Sequence, residues 1–309
     1  MYPPAFSYHA PGRLDEAADL LAELGPDAQP LAGGQTLIRA MKLRHVRPRH
    51  LVDLRYLDLA GITQHKDQYT DGHADGVRTL RVGATTTLTA CEDAAPIQDL
   101  WPLLTDALHV TADPLVRNLA TMGGAAADAD PRGDIGPVLV AAEANLHLAG
   151  SGTARLLSAE SFFTGPSSTA LGLGEILTHI DFPLHPGSGG CYLKVNRKVG
   201  DPALLGIAVQ LRVVHDQAVT RCRIAVTNAG PTYVRAYKAE ECLYGQPVTA
   251  AAARRAADIA AQEVHPHPDR DAPAPYKQAL IRALTHRAAL TAAERASGSD
   301  GRAVEPVRA

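Results

Sequence analysis

The chain has 309 residues, of which 46% are hydrophobic and 20% charged, with a net charge of −3. That length allows two or three domains, each able to bury a core, and the charge balance excludes a surface built to neutralise a nucleic-acid backbone. The four cysteines, Cys91, Cys191, Cys222 and Cys242, lie far apart with no CxxC pair, which excludes zinc or iron–sulfur ligation in the usual spacing and any disulfide framework.

In chain order, Leu14, Ala17, Ala18, Leu21 and Leu24 recur at helical spacing, and Gly25-Pro26 ends the run. The short apolar step Pro30-Leu31-Ala32 leads into Gly33-Gly34. Leu51 to Leu54 and Thr79 to Gly83 read as buried strands bounded by turn residues, with a polar loop or hairpin end from Thr63 to Val77 between them. A second glycine-rich stretch runs from Thr121 to Pro137, followed by strands at Ala144 to Leu148 and Glu175 to Phe182. Gly187 to Gly190 reads as flexible punctuation and a domain boundary.

Beyond it, Leu205 to Val214, a His215-Asp216-Gln217 turn and Val219 to Thr227 predict an antiparallel hairpin. Cys222, Ile224 and Val226 alternate with Arg221, Arg223 and Ala225, as when one face is buried. Alanine-rich helices follow at Val234 to Tyr244, Ala250 to Val264 and Tyr276 to Glu294, and the closing residues from Ser297 read as frayed. The start carries no charged n-region or apolar h-region, and no stretch reaches the roughly 20 apolar residues of a membrane span, so a soluble, cytoplasmic protein with no membrane span is expected.

Two loops carry the chemistry. In Ala32-Gly33-Gly34-Gln35-Thr36-Leu37, adjacent glycines permit positive φ and close approach of a ligand, and successive amides can form an anion-holding nest. The spacing is neither GxGxxG nor GxxxxGK[ST], so a plain tight turn competes with this reading. The second loop, Thr121-Met122-Gly123-Gly124-Ala125, shifts the balance. Its small residues permit close approach, Thr121 offers a hydroxyl, and Asp130 and Asp134 can accept hydrogen bonds from a ribose. Two such loops could hold opposite sides of one pyrophosphate. The residues alone support a nucleotide-containing ligand and leave FAD, NAD and ADP open. His265-Pro266-His267 reads as a solvated turn and His109 and His179 as surface or core fillers, so no metal site is expected.

Longer stretches resemble one family. LAGGQTLIRAMKLRHVRPRHLVDL (Leu31 to Leu54) and VRNLATMGGAAADADPRGD (Val116 to Asp134) resemble the two flavin motifs of the FAD-binding, medium subunits of molybdenum hydroxylases of the carbon monoxide dehydrogenase and xanthine dehydrogenase type. GEILTHIDFP (Gly174 to Pro183), YLKVNRKVGDPALLGIAV (Tyr192 to Val209), GPTYVRAYKAEECLYGQP (Gly230 to Pro247) and YKQALIRALTHRAAL (Tyr276 to Leu290) resemble later parts of the same subunits, in order.

The resemblance implies an α+β fold, a two-subdomain FAD-binding unit of the molybdenum hydroxylase flavoprotein type followed by a smaller α/β C-terminal domain. The implied divisions are 1–57 and 58–186 for the two FAD subdomains, 187–292 for the C-terminal domain, and a disordered tail at 293–309. It implies that Ala32, Gly33, Gly34, Gln35, Thr36 and Leu37 wrap the pyrophosphate with Thr121, Gly123, Gly124 and Ala125. Asp134, with Asp130 nearby, would hold the adenosine ribose. Leu177, Tyr192 and Lys194 would lie close to the cofactor, while Arg117 and Asn118 shape the loop. One departure stands out: Ala125 replaces the family's usual Asn or Ser. A lost hydrogen bond of about 0.5–1.5 kcal/mol would loosen FAD by up to about tenfold.

The implied activity is oxidoreductase. A large subunit holds the molybdenum cofactor, a small subunit holds [2Fe–2S] clusters, and this chain passes electrons through FAD to an external acceptor, within a dimer of heterotrimers. No catalytic acid–base set of its own is implied. A stand-alone flavin oxidoreductase and an FAD-free assembly subunit stay open beside this reading.

Overall fold

The structure, a computed structural model, describes residues 2–66, 78–214 and 218–298, with side chains described throughout except at Lys66 and Arg78. The His215-Asp216-Gln217 turn and most of the loop expected before Val77 lie outside the described residues.

The N-terminal lobe comprises β1 (Ser7–His9), α1 (Leu14–Leu24), a 3₁₀ turn at Gly25–Asp27, β2 (Ala28–Leu31), α2 (Leu37–Lys42) and β3 (His50–Asp53). Its three strands run parallel in the order β1-β3-β2. Ala17, Ala18 and Leu21 of α1, spaced at helical period, bury against Val52 and Leu54.

The second lobe starts with β4 (Ile62–Lys66) and β5 (Arg78–Gly83). Six short helices follow: α3 (Leu88–Glu92), α4 (Ala95–Leu100), α5 (Pro102–Val110), α6 (Pro114–Arg117), α7 (Met122–Asp128) and α8 (Ile135–Ala141). It ends with β6 (Asn145–Gly150), β7 (Thr153–Ser158), α9 (Ala159–Phe162), β8 (Phe163–Gly165), β9 (Ser168–Thr169) and β10 (Ile176–Leu184). An antiparallel sheet in the order β4-β5-β10-β6-β7 carries the core on one face, where Leu80, Val82, Leu146, Ile180 and Phe182 meet the helices. The register of β10 against β6 shifts between Leu177 and His179. Strict alternation would put Leu177 on the side of His179 and Asp181; the bulge instead returns it to the core with Ile180 and Phe182.

The third lobe is β11 (Ser188–Val195), β12 (Leu205–Val213), β13 (Val219–Thr227) and β14 (Val234–Arg235), then α10 (Tyr237–Leu243), α11 (Ala250–Glu263) and α12 (Ala274–Ser297). Its antiparallel sheet is covered on both faces. Cys191, Ile207, Val209, Ile224 and Val226 face the helices α10 to α12, while Tyr192, Ala208 and Ala225 join the core of the second lobe. The alternation along β13 therefore separates two buried sides, with Arg221 and Arg223 held in place by ion pairs to Glu143.

Three local expectations change. Gly189 and Gly190 are not flexible linkers but lie inside β11. A Cβ on Gly189 would sit 2.2 Å from the Ala292 carbonyl oxygen, and one on Gly190 would sit 2.7 Å from Cβ of Leu103, so both glycines mark close packing. The helix read from Val234 begins at Tyr237, because Val234–Arg235 pairs with β13 as a short strand. The expected tail from 293 is helical as far as Ser297. Arg295 anchors it, its side chain 3% exposed and ion-paired to Asp106 at 2.6 Å.

Candidate cofactor site

The first glycine loop joins the end of β2 to the start of α2. Gly34 takes φ +71°, a left-handed turn that favours glycine. The carbonyls of Gly34 and Thr36 accept from Ile38 N–H and Ala40 N–H at the start of α2. Among the described residues the amides of Gly33, Gly34, Gln35 and Thr36 meet no protein acceptor. Amides so left over at the entry to a helix are donors for an anion. The Thr36 hydroxyl donates to Asp128 Oδ2 at 3.2 Å, tying this loop to the end of α7.

The second loop is built differently. Thr121 caps α7, its Oγ1 accepting from Gly124 N–H at 3.0 Å. Met122 N–H donates to the Thr86 carbonyl, Gly123 N–H to the Ala84 carbonyl, and Ala125 N–H to the Thr121 carbonyl. All four amides are thus committed within the protein. The loop contributes a wall of small residues. Gly123 is small because a Cβ there would lie 2.6 Å from that of Ala84.

Both loops face one cavity of about 740 Å³, within the ~300–1,000 Å³ of small-molecule sites. Every residue predicted to touch the cofactor lines it except Tyr192 and Lys194: Ala32 to Leu37, Thr121, Gly123, Gly124, Ala125, Asp130, Asp134 and Leu177. Tyr192 and Lys194 lie behind Asp134 and grip it. The Tyr192 hydroxyl donates to Oδ1 at 2.7 Å and Lys194 Nζ to Oδ2 at 2.8 Å. Lys194 also donates to the Val110 carbonyl at 2.8 Å. Burial lifts the Asp134 carboxyl, while Lys194 and Tyr192 pull it back toward the charged form. Burial and that carboxylate also push the Tyr192 phenol well above its usual range, so it stays a donor. This placement has a simple cause: β11 presents Tyr192 and Lys194 to Asp134 before α8 and to the end of α5, a relation between a strand and distant helices.

Asp128, the strap Ser167, Leu171 and Glu175, and Gly200-Asp201-Pro202 of the third lobe also line the cavity and were not singled out from the sequence. Only the run of carboxylates following the second Gly-Gly hinted at Asp128. Burial and the charge of Asp130 raise its carboxyl, against the Thr36 hydrogen bond. Among the described residues, Arg132 is the only lysine or arginine lining the cavity, so an anionic ligand would be met chiefly by amides. Arg117 shapes the loop as expected: its guanidinium binds Glu92 at 2.8 Å and the Thr111 carbonyl at 3.0 Å. His265 and His267 are exposed outside regular structure, and His109 is exposed on α5.

Residues 4–185 match the family described as FAD binding domain in molybdopterin dehydrogenase, and residues 190–292 that described as CO dehydrogenase flavoprotein C-terminal domain. The chain is 37% identical to the carbon monoxide dehydrogenase medium chain of Hydrogenophaga pseudoflava, over 93% of this chain and 97% of that protein. A structure of carbon monoxide dehydrogenase from the same organism, lacking the Mo-pyranopterin moiety of the molybdenum cofactor, superposes with a TM-score of 0.87 at 38% identity, covering 96% of this chain and 99% of the other. Quinoline 2-oxidoreductase from Pseudomonas putida 86 does so with a TM-score of 0.85 at 31% identity, covering 96% and 99%.

Proposed function

The chain belongs to the FAD-binding medium subunits of the carbon monoxide and xanthine dehydrogenase type, and from that premise we propose that it is the electron-relaying flavoprotein of a molybdenum hydroxylase. The observation that carries the reading is the pairing of four uncommitted first-loop amides with a cavity of about 740 Å³ walled by all three lobes. The residues fit a flavin dinucleotide. Gly33 to Thr36 offer a row of donors for a pyrophosphate, Asp130 and Asp134 offer acceptors for a ribose, and Leu177 offers an apolar surface.

When bound, the isoalloxazine supplies the redox chemistry, taking up single electrons and releasing pairs. The chain's own residues orient it. The first-loop amides fix the pyrophosphate, the wall from Thr121 to Ala125 lets it approach the backbone, and Asp134, locked by Tyr192 and Lys194, keeps one orientation. No side chain of this chain is assigned as a general acid or base. Electrons would arrive from [2Fe–2S] clusters of a small subunit, fed by a large subunit holding the molybdenum cofactor, and leave to an external acceptor, in a dimer of such heterotrimers. We place the complex in the cytoplasm, where its four free cysteines suit a reducing medium. Among the described residues no helix is long and apolar enough to cross a membrane.

The test is an absorbance spectrum of the purified chain, then release of the chromophore and its identification by mass. FAD near one equivalent is the expected result. A colourless chain that takes up no added FAD would overturn the relay and leave an assembly subunit. Turnover of a small substrate by the isolated chain would point instead to a stand-alone oxidoreductase.

A further inference from the structure

On the sheet face opposite the second lobe's helical core, two histidines and an aspartate converge. His147 on β6 and His179 on β10 are register partners, and their rings stack with centroids 4.0 Å apart. Asp181 follows two residues along β10, on the same face. One ligand atom from each of the three lies within 4.8 Å of the others. This set escaped the sequence reading because 34 positions separate His147 from Asp181.

The protonation pattern favours a cation. The Thr178 hydroxyl donates to the His147 carbonyl at 3.0 Å, so toward His179 Nδ1, also 3.0 Å away, its oxygen can only accept. His179 Nδ1 therefore carries the proton, and Nε2 carries the lone pair. That Nε2 is buried with no hydrogen-bond partner among the described residues. Burial, reinforced by the neighbouring His147 and Arg81, also pulls the His179 ring below the usual imidazole range. An unpartnered lone pair on a ring oriented through its other nitrogen is the arrangement of a metal-ligating histidine. His147 Nε2 now donates to Asp181 Oδ2 at 2.9 Å. Its side chain, 30% exposed, gives solvent access and room for the tautomer change that frees Nε2.

We propose that His147 Nε2, His179 Nε2 and Asp181 Oδ2 form a binding site for an imidazole-preferring divalent transition cation such as Zn²⁺, separate from the flavin cavity. Two imidazoles and one carboxylate are an ordinary donor set for such a metal, with water completing a tetrahedron. No proton need leave the protein, because the one on His147 Nε2 moves to Nδ1 through solvent. Arg81, bound to both Asp181 oxygens at 2.8 and 2.7 Å, and His65 also face the group. Arg81 aims the carboxylate while its charge weakens the cation's hold, which places the site among modest, exchangeable ones. A bound cation would cross-link β6 to β10 and stabilise the folded chain by mass action.

The test uses the full chain, stripped with EDTA and titrated with Co²⁺, followed by ligand-field bands at wavelengths beyond the flavin absorption. The expected result is saturation at one equivalent, displacement of the bands by Zn²⁺, and a rise of a few degrees in Tm with Zn²⁺. His179→Gln, which leaves the residues lining the flavin cavity untouched, should weaken Co²⁺ uptake at least tenfold while flavin content stays the same. His147→Gln, at a partly exposed position, serves if the first variant fails to fold. Absence of bands up to millimolar Co²⁺, or unchanged uptake by a folded variant, overturns the proposal.

Discussion

Gly33 of the first loop lies against the main chain of Leu119: a Cβ at position 33 would sit 1.8 Å from the Leu119 carbonyl oxygen and 3.0 Å from Cα of Ala120. The two glycine loops are thus in direct contact, and a backbone carbonyl cannot swing aside as a side-chain tip can. Gly33→Ala is expected to push the lobes apart at the cavity, at a cost of about 1–3 kcal/mol of stability. The purified variant should also carry well under one equivalent of flavin. Urea unfolding and the ratio of flavin to protein absorbance check both; full flavin occupancy would show that the loops separate without harm to the site.

Ala125 lines the cavity, and its amide is already committed to the Thr121 carbonyl, so only a side chain could add a hydrogen bond there. Ala125→Asn is expected to tighten FAD by up to about tenfold, the reach of one net hydrogen bond. Flavin fluorescence quenching on titration into the stripped protein measures it. Weaker binding would mean that the added amide crowds the ligand.

Asp134 and Lys194 form a pair with side chains only 6% and 2% exposed. Removing one charge strands the other, so Asp134→Asn should destabilise by about 3–5 kcal/mol. The double variant with Lys194→Met should recover much of that loss. A double-mutant cycle by urea unfolding reads the coupling; a value under about 0.5 kcal/mol would show that the two groups act independently.

Asp269 sets an acid limit on the third lobe. Burial works against its charge, but hydrogen bonds from Lys277 and Asn228 prevail and hold its carboxyl well below the usual carboxylate range. A folded-state value below the unfolded one means the stabilisation is complete above the unfolded pKa of about 3.9. It is then lost as pH falls from there toward the folded value. Melting temperatures of the native chain and Asp269→Asn should therefore differ at pH 6 and converge toward pH 3. A gap that stays constant with pH would show that shape, not charge, is what the position supplies.

How far the sequence could be read tracks how local each feature is. The period of Cys222, Ile224 and Val226, the helical spacing of Leu14 to Leu24 and the paired glycines all follow from neighbours a few residues away, and each marked its element. The second face of β13 was not legible, because Ala225 is buried by helices from another lobe. Gly189 and Gly190 looked like a linker because nothing nearby announces Ala292 or Leu103. The same holds in the site. Its two loops were visible, but which amides remain available depends on carbonyls at Ala84 and Thr86. Whether Lys194 meets a ligand or Asp134 depends on how a strand is laid across two helices. The short helices from Leu88 to Arg117 left too few turns for a periodic signal.

The cavity has a temporal consequence as well. Its first walls come from residues 29–54 and most of the rest from residues 84–177, but Gly200-Asp201-Pro202 closes it from the third lobe. Chains are synthesised from the N-terminus, and domains fold in that order. A nascent chain therefore has a half-open groove for much of its synthesis, and firm retention of a dinucleotide begins only after the final lobe has docked.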